Sequence, residues 1–152
     1  MVVNNRYCFF HFSFPFHHTK KTNLLFIKNE LRQKYVRKNI FDQVSNNIGI
    51  GHPWVQNLPS ENWLNGNITE HSSDKHYISS INDPHADPNT VKLLQSFWFV
   101  DSMPDLNQRN PYLANYLIQN TLWWIEFTGI DGIREDTYPY ADQEFLSRWA
   151  AT

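Results

Sequence analysis

At 152 residues the chain has room for one domain. Hydrophobic residues make up 41% and charged residues 18%, which excludes compositional disorder. No run of eighteen apolar residues occurs, so no membrane-spanning helix is expected. The net charge of -2 conceals a step: residues 1–40 carry eight Lys and Arg against one acid, Glu30, whereas residues 41–152 carry five against fourteen. The single cysteine, Cys8, allows no internal disulfide.

The first predicted element is a strand in residues 7–16 (YCFFHFSFPF), where Phe9, Phe10, Phe12, Phe14 and Phe16 give a partly alternating pattern and Pro15 restricts the strand to a sheet edge. The run does not fit a signal peptide, because only Arg6 precedes it and Lys20 and Lys21 follow. Residues 26–38 have the spacing of a helix through Phe26, Ile27, Leu31, Tyr35 and Val36. Its basic surface reads as a solvated face; neither nucleic-acid binding nor a metal at His11, His17 and His18 is expected.

A short apolar run at 39–41 followed by polar residues reads as a buried strand meeting a loop. Residues 48–110 are loop-like, with Pro53, Pro59, Pro84, Pro88 and Pro104 and the anchors Trp54, Trp63, Phe97 and Trp98. A connection this long in a small domain is usually functional. His71, His76 and His85 lie there among acids, at a spacing that matches no ligand pattern. The three tryptophans could stack on sugar rings or form a small core, and Trp98, between Phe97 and Phe99, reads as core. The sequence NIT at 67–69 is a glycosylation sequon, which matters only in a eukaryotic secretory setting.

A helix is predicted from Asn110, a good N-cap followed by Pro111, to Gly129. Its apolar face comprises Leu113, Leu117, Trp124 and Ile125. Residues 130–136 (IDGIRED) read as a strand, with Gly132, Arg134 and Asp136 on one face and Asp131, Ile133 and Glu135 on the other. An arginine two residues before an aspartate at a strand end can hold a carboxylate ionised and oriented, as a nucleophile at an anomeric carbon requires. The alternative is a structural ion pair that closes the strand.

With these residues in view, GIREDTYPY at 132–140 resembles the fourth-strand motif of the α-amylase superfamily of glycoside hydrolases. MPDLN at 103–107 is similar to the motif before the third helix in its neopullulanase and cyclomaltodextrinase branch. FDQVSNN at 41–47 is similar to the third-strand motif, and HPWVQNLPSENW at 52–63 to the start of the domain inserted after it. The resemblance implies an α/β fold, a partial (β/α)8 barrel containing the third strand, an inserted loop domain over 48–110, the third helix, the fourth strand and the start of the fourth helix. It implies retaining cleavage of α-glucosidic bonds in maltooligosaccharides, cyclodextrins, pullulan or starch. Position by position, Asp136 matches the nucleophile and Arg134 the residue that orients it. Asp42 and Tyr138 match substrate-side positions. Asn46 matches an asparagine that helps to hold calcium, the one cofactor implied.

Three departures accompany the resemblance. Asn47 replaces a sugar-binding histidine; it can hydrogen-bond a hydroxyl but never carries charge. Glu135 replaces an apolar residue and faces the helix layer, where it needs water or a partner. The family's acid/base glutamate on the fifth strand and its later His-Asp pair have no counterpart in 152 residues, since a complete barrel needs about 250. Residues 1–38 show no match to the preceding strand and helix and are treated as a basic aromatic segment of unclear origin. The expectation is therefore a truncated α-glucan hydrolase segment, inactive alone. It stands against an enzyme completed by a second polypeptide and against a non-catalytic carbohydrate-binding or scaffold protein.

Overall fold

The computed structural model describes residues 38–73 and 83–152, together with the backbone of residues 2–3 and 7–12. Its strands are β1 (Val2–Val3), β2 (Tyr7–Phe12), β3 (Lys38–Val44) and β4 (Gly132–Asp136). Its helices are α1 (Pro53–Gln56), α2 (Pro88–Leu94), α3 (Pro111–Thr128) and α4 (Gln143–Ala150). The strands form one sheet in the order β1-β2-β3-β4. β1 runs antiparallel to β2, whereas β2, β3 and β4 are mutually parallel.

Parallel neighbours need long crossovers, and the one from β3 to β4 contains α3. The observed topology is that of a parallel α/β layer. It also corrects the reading of residues 1–38 as lacking a strand of this sheet. Tyr7–Phe12 pairs in register with residues 38–43 and is flanked on both sides, so it is not an edge strand. Pro15 lies three residues beyond its end and leaves the ladder intact. The helix expected over 26–38 and the histidines His17 and His18 lie outside the described residues, except that Lys38 opens β3.

β3 shows the period of two that places side chains on alternate faces. Asn39, Phe41 and Gln43 are buried against the helices, while Ile40 and Asp42 are half-buried on the other face. Phe41 stacks on Trp124 of α3 with ring centroids 5.7 Å apart. Thr121 Oγ accepts from Gln43 Nε2 at 2.8 Å and from Trp149 Nε1 at 3.0 Å, tying β3, α3 and α4 together.

α3 begins and ends where its capping residues predict. The Asn110 carboxamide oxygen accepts from the N–H groups of Tyr112 and Leu113 at 3.0 and 3.2 Å. Gly129 takes the left-handed conformation, φ 56°, and donates to Ile125 O at 2.7 Å. The buried stripe runs through Leu113, Ala114, Leu117, Ile118, Thr121, Trp124 and Thr128. Ile125, expected on that face, is exposed. Thr121 and Thr128 take buried positions instead, each hydroxyl lying within hydrogen-bond distance of the carbonyl four residues back, and Thr121 Oγ also meeting Gln43 and Trp149.

Residues 48–110 hold two short helices that a loop-like reading did not anticipate. Both have side-chain caps: His52 Nδ1 accepts from Trp54 N at 3.1 Å, and Asp87 accepts from Thr90 N at 2.9 Å. The segment shares its core with α3 and α4. Ile48, Trp63, Leu64 and Leu106 join Leu113, Leu117, Phe145 and Leu146 in one apolar cluster, against which Trp54 packs. Trp98 is fully buried, donates to Asn65 O at 2.7 Å and stacks on His71 at 4.0 Å. Trp63 and Trp98 are therefore core residues. His71 pairs with Asp101 at 3.1 Å, and His76 lies outside the described residues. Among the described residues no three His, Cys, Asp or Glu gather as a metal site.

Candidate active site

The site forms where β3 and β4 end side by side. The parallel register places Asp42 opposite Arg134 and Val44 opposite Asp136. Asp42, Arg134 and Asp136 share the sheet face away from α3, as the alternation in residues 130–136 predicts. Arg134 bridges the two carboxylates: one guanidinium nitrogen donates to Asp42 Oδ1 at 2.5 Å and the other to Asp136 Oδ1 at 3.1 Å. The planar fork allows this, because its nitrogens diverge toward two acceptors at once. Asp42, by hydrogen bond and by charge, and then Asp136 hold the guanidinium proton above its ordinary range. The side chain of Asp42 is 13% exposed and that of Asp136 35%, so the nucleophile candidate is the more open of the two.

β4 stops abruptly after Asp136. Thr137 has φ 57°, a left-handed conformation unusual for a β-branched residue, and its hydroxyl donates to Asp136 O at 2.6 Å. The chain then enters a single 3-10 turn, Tyr138–Tyr140, in which Tyr138 is 52% exposed. Tyr140 instead packs edge-on against Phe99 and Phe97.

Glu135 faces the other side of β4, as expected, and finds its partner in Ser45. One oxygen, Oε1, accepts from Ser45 N at 2.9 Å and also from Ser45 Oγ. The second oxygen, Oε2, is buried without a partner among the described residues. Burial pushes the Glu135 carboxyl up to about 7; the two Ser45 bonds oppose this, and the negative Asp136 and Asp42 add to it.

Beyond β3 the chain runs through Asn46 and Asn47 alongside residues 104–106. Leu106 N donates to Asn46 O at 2.7 Å, Ile48 N donates to Pro104 O at 2.9 Å, and Asn47 bridges to Asp105. Two sequence motifs some sixty residues apart thus meet at one place. Asp105 is only 1% exposed and its carboxyl lies well above the usual range. Burial is the main cause, opposed by a 2.7 Å hydrogen bond from Asn65, the charge of Arg109 and a bond to Asn46. Asn46 Oδ1 and Asn47 Nδ2 are buried without partners among the described residues. Asn46 and Asn47 therefore lie beside Asp105, a few residues past the carboxylate-arginine group.

Sequence reasoning missed three residues here. Asp105 stands within the 103–107 motif without an assigned role, and nothing local marks its burial, since aspartate is ordinarily an exposed residue. Ser45 and Gln108 went unremarked. Gln108 Nε2 donates to Ser45 O at 2.9 Å, so both backbone groups of Ser45 are held by side chains.

No family model matches the chain. It is similar to the intracellular maltogenic amylase of Bacillus subtilis, 31% identical over 117 residues, which is 77% of this chain and 18% of that protein. The α-amylase of Geobacillus thermoleovorans, solved with acarbose, superposes with a TM-score of 0.64 at 30% identity, covering 86% of this chain and 26% of that one. An Anoxybacillus α-amylase superposes with a TM-score of 0.67 at 25% identity, covering 86% and 25%. The chain thus spans less than a fifth of the curated relative it matches.

Proposed function

Because the chain belongs to the α-amylase superfamily of glycoside hydrolases, we propose that it carries the nucleophile side of a retaining α-glucan-cleaving site. In this reading β2, β3 and β4 are the second, third and fourth strands of a (β/α)8 barrel, and the substrate is an α-linked maltooligosaccharide, cyclodextrin, pullulan or starch. The observation that carries it is the Arg134 bridge between Asp42 and Asp136 at the C-terminal ends of adjacent parallel strands, where barrel enzymes assemble their chemistry.

The chemistry follows from the geometry. Asp136 has one oxygen on Arg134, which leaves the other to attack the anomeric carbon. Arg134 keeps the carboxylate ionised and fixes its direction. Asp42, on the same guanidinium, holds Arg134 in place and lies close enough to the site to take a sugar hydroxyl. Tyr138 offers an exposed ring as a sugar contact, whereas the Asn47 carboxamide nitrogen is buried, so any sugar contact by Asn47 would need that carboxamide to turn outward. Retaining hydrolysis also needs an acid/base carboxyl about 5–5.5 Å from the nucleophile. In this reading the fifth strand of the same barrel supplies it.

Calcium is part of the proposal. The buried Asp105 carboxyl and Asn46 Oδ1, which has no partner among the described residues, are hard oxygen donors of the kind Ca2+ takes, and a Cys- or His-based metal does not suit them. There the ion would brace residues 104–106 against the end of β3. Asp105→Asn is expected to weaken Ca2+ binding at least ~10-fold in calorimetry, since charge count sets affinity at such sites. Equal affinity in the variant would remove Asp105 from the ligand set.

The deciding experiment is trapping with 5-fluoro-α-glucosyl fluoride, whose fluoride leaves without acid catalysis. The anomeric C–F bond breaks, an ester bond to a carboxylate oxygen forms, and fluoride departs. Peptide mass mapping is expected to find the fluoroglucosyl ester on Asp136, and none in Asp136→Asn. An unlabelled wild type that still binds maltoheptaose would favour the non-catalytic carbohydrate-binding reading.

A further inference from the structure

β4 ends at Asp136, opposite Val44, so the sheet offers Ser45 no further ladder partner on that side. A buried N–H left open there would be costly. Glu135 fills the gap from the neighbouring strand, taking both the N–H and the hydroxyl of Ser45 on Oε1. Gln108 takes the Ser45 carbonyl, and Gln108 Oε1 in turn accepts from Asp142 N, the N-cap of α4, at 3.4 Å. Ser45 is fully buried, and the next two residues are Asn46 and Asn47. Glu135 therefore stands behind β4 with Asp136 in front of it, and its contact reaches the other arm of the site.

We propose that Glu135 is a positioning residue: by clamping Ser45 at the end of β3 it sets the direction of Asn46 and Asn47 relative to Asp136. The proposal rests on the reading of this site as an α-glucan site. An apolar side chain at 135 would satisfy neither Ser45 donor. The clamp needs an acceptor at this position and not a charge, so glutamine can replace it. The carboxyl is neutral below about pH 7, and the charged groups that act on it are Asp136 of β4 and Asp42 of β3, both negative.

The test uses the 152-residue chain labelled with 15N, at pH 6, as wild type, Glu135→Gln, Glu135→Leu and Ser45→Ala. Without ligand, Glu135→Leu is expected to speed hydrogen exchange at Ser45 N by ~10-fold or more, the worth of one buried hydrogen bond, and to displace the side-chain amide signals of Asn46 and Asn47. Exchange at Leu117 in α3 is expected to change less than about twofold, since a local clamp leaves the core closed. Glu135→Gln is expected to restore the wild-type spectrum, which loss of bulk alone does not explain. Should Glu135→Leu fail to fold, Ser45→Ala removes the hydroxyl arm and is expected to displace the same two amide signals. Unmoved Asn46 and Asn47 signals in the folded variants would overturn the proposal. A maltoheptaose titration then separates the two readings. If the clamp variants displace the amides but wild type never responds to the sugar, the positioning stands and the α-glucan reading falls.

Discussion

Arg134→Leu is expected to slow glycosyl trapping at Asp136 about 10²-fold while leaving the thermal melt nearly unchanged, a rate loss of the size expected from misplacing a reacting group by about 1 Å. The reason lies in what Arg134 does and where it lies. Its guanidinium spans Asp42 and Asp136 and hydrogen-bonds both carboxylates. Without it two carboxylates face each other across the ends of β3 and β4, and Asp136 loses its direction. The side chain is half exposed, and ion pairs in that setting add little to stability. Function and fold should therefore separate in this variant. Arg134→Lys is expected to fall between, because one ammonium is a point charge and cannot hold two carboxylates with the geometry of a fork. Trapping rates and melting curves for the three proteins measure this. A leucine variant that traps at the wild-type rate would reduce the pair to a structural tie between strands.

How much of this was legible in the sequence depends on the range of the interaction. Arg134 and Asp136 are two residues apart on a strand, so their shared face follows from the period of two alone. The ends of α3 follow from Asn110, Pro111 and Gly129, which act within one helical turn. The membership of Asp42 in the same group needed the resemblance, since nothing local in residues 38–44 says which strand lies alongside. The place of Tyr7–Phe12 in the sheet was illegible for the same reason. A parallel partner is chosen by distant contacts, and the alternating phenylalanines say strand without saying where. Asp105 acquires its character from burial, opposed by Asn46 and Asn65 from distant parts of the chain and by the nearby Arg109. Glu135 was legible as an anomaly, a carboxyl on the helix-facing side. Its answer, Ser45, is ninety residues away.

That anomaly sets an expected pH dependence of stability. Burial raises Glu135 from 4.5 in the unfolded chain to about 7 in the fold. The folded state therefore binds this proton more tightly than the unfolded state does. The favourable contribution is fully present below about pH 4.5, declines as pH rises, and is lost once pH passes about 7 and the buried carboxyl must ionise. Each pH unit between the two values is worth about 1.4 kcal/mol, so the swing is about 3 kcal/mol. Glutamine keeps the acceptor for Ser45 and never ionises. Urea unfolding of wild type and Glu135→Gln is thus expected to give a stability difference that grows in favour of the variant by about 3 kcal/mol between pH 4 and pH 8. Asp105 and every other titrating group are common to both proteins and cancel in that difference. A difference that stays flat across the range would mean that Glu135 keeps an ordinary carboxyl and reaches water. A difference that grows ties the stability of the fold to burial of the Glu135 carboxyl, a burial that the two Ser45 bonds, which favour the ionised form, do not offset.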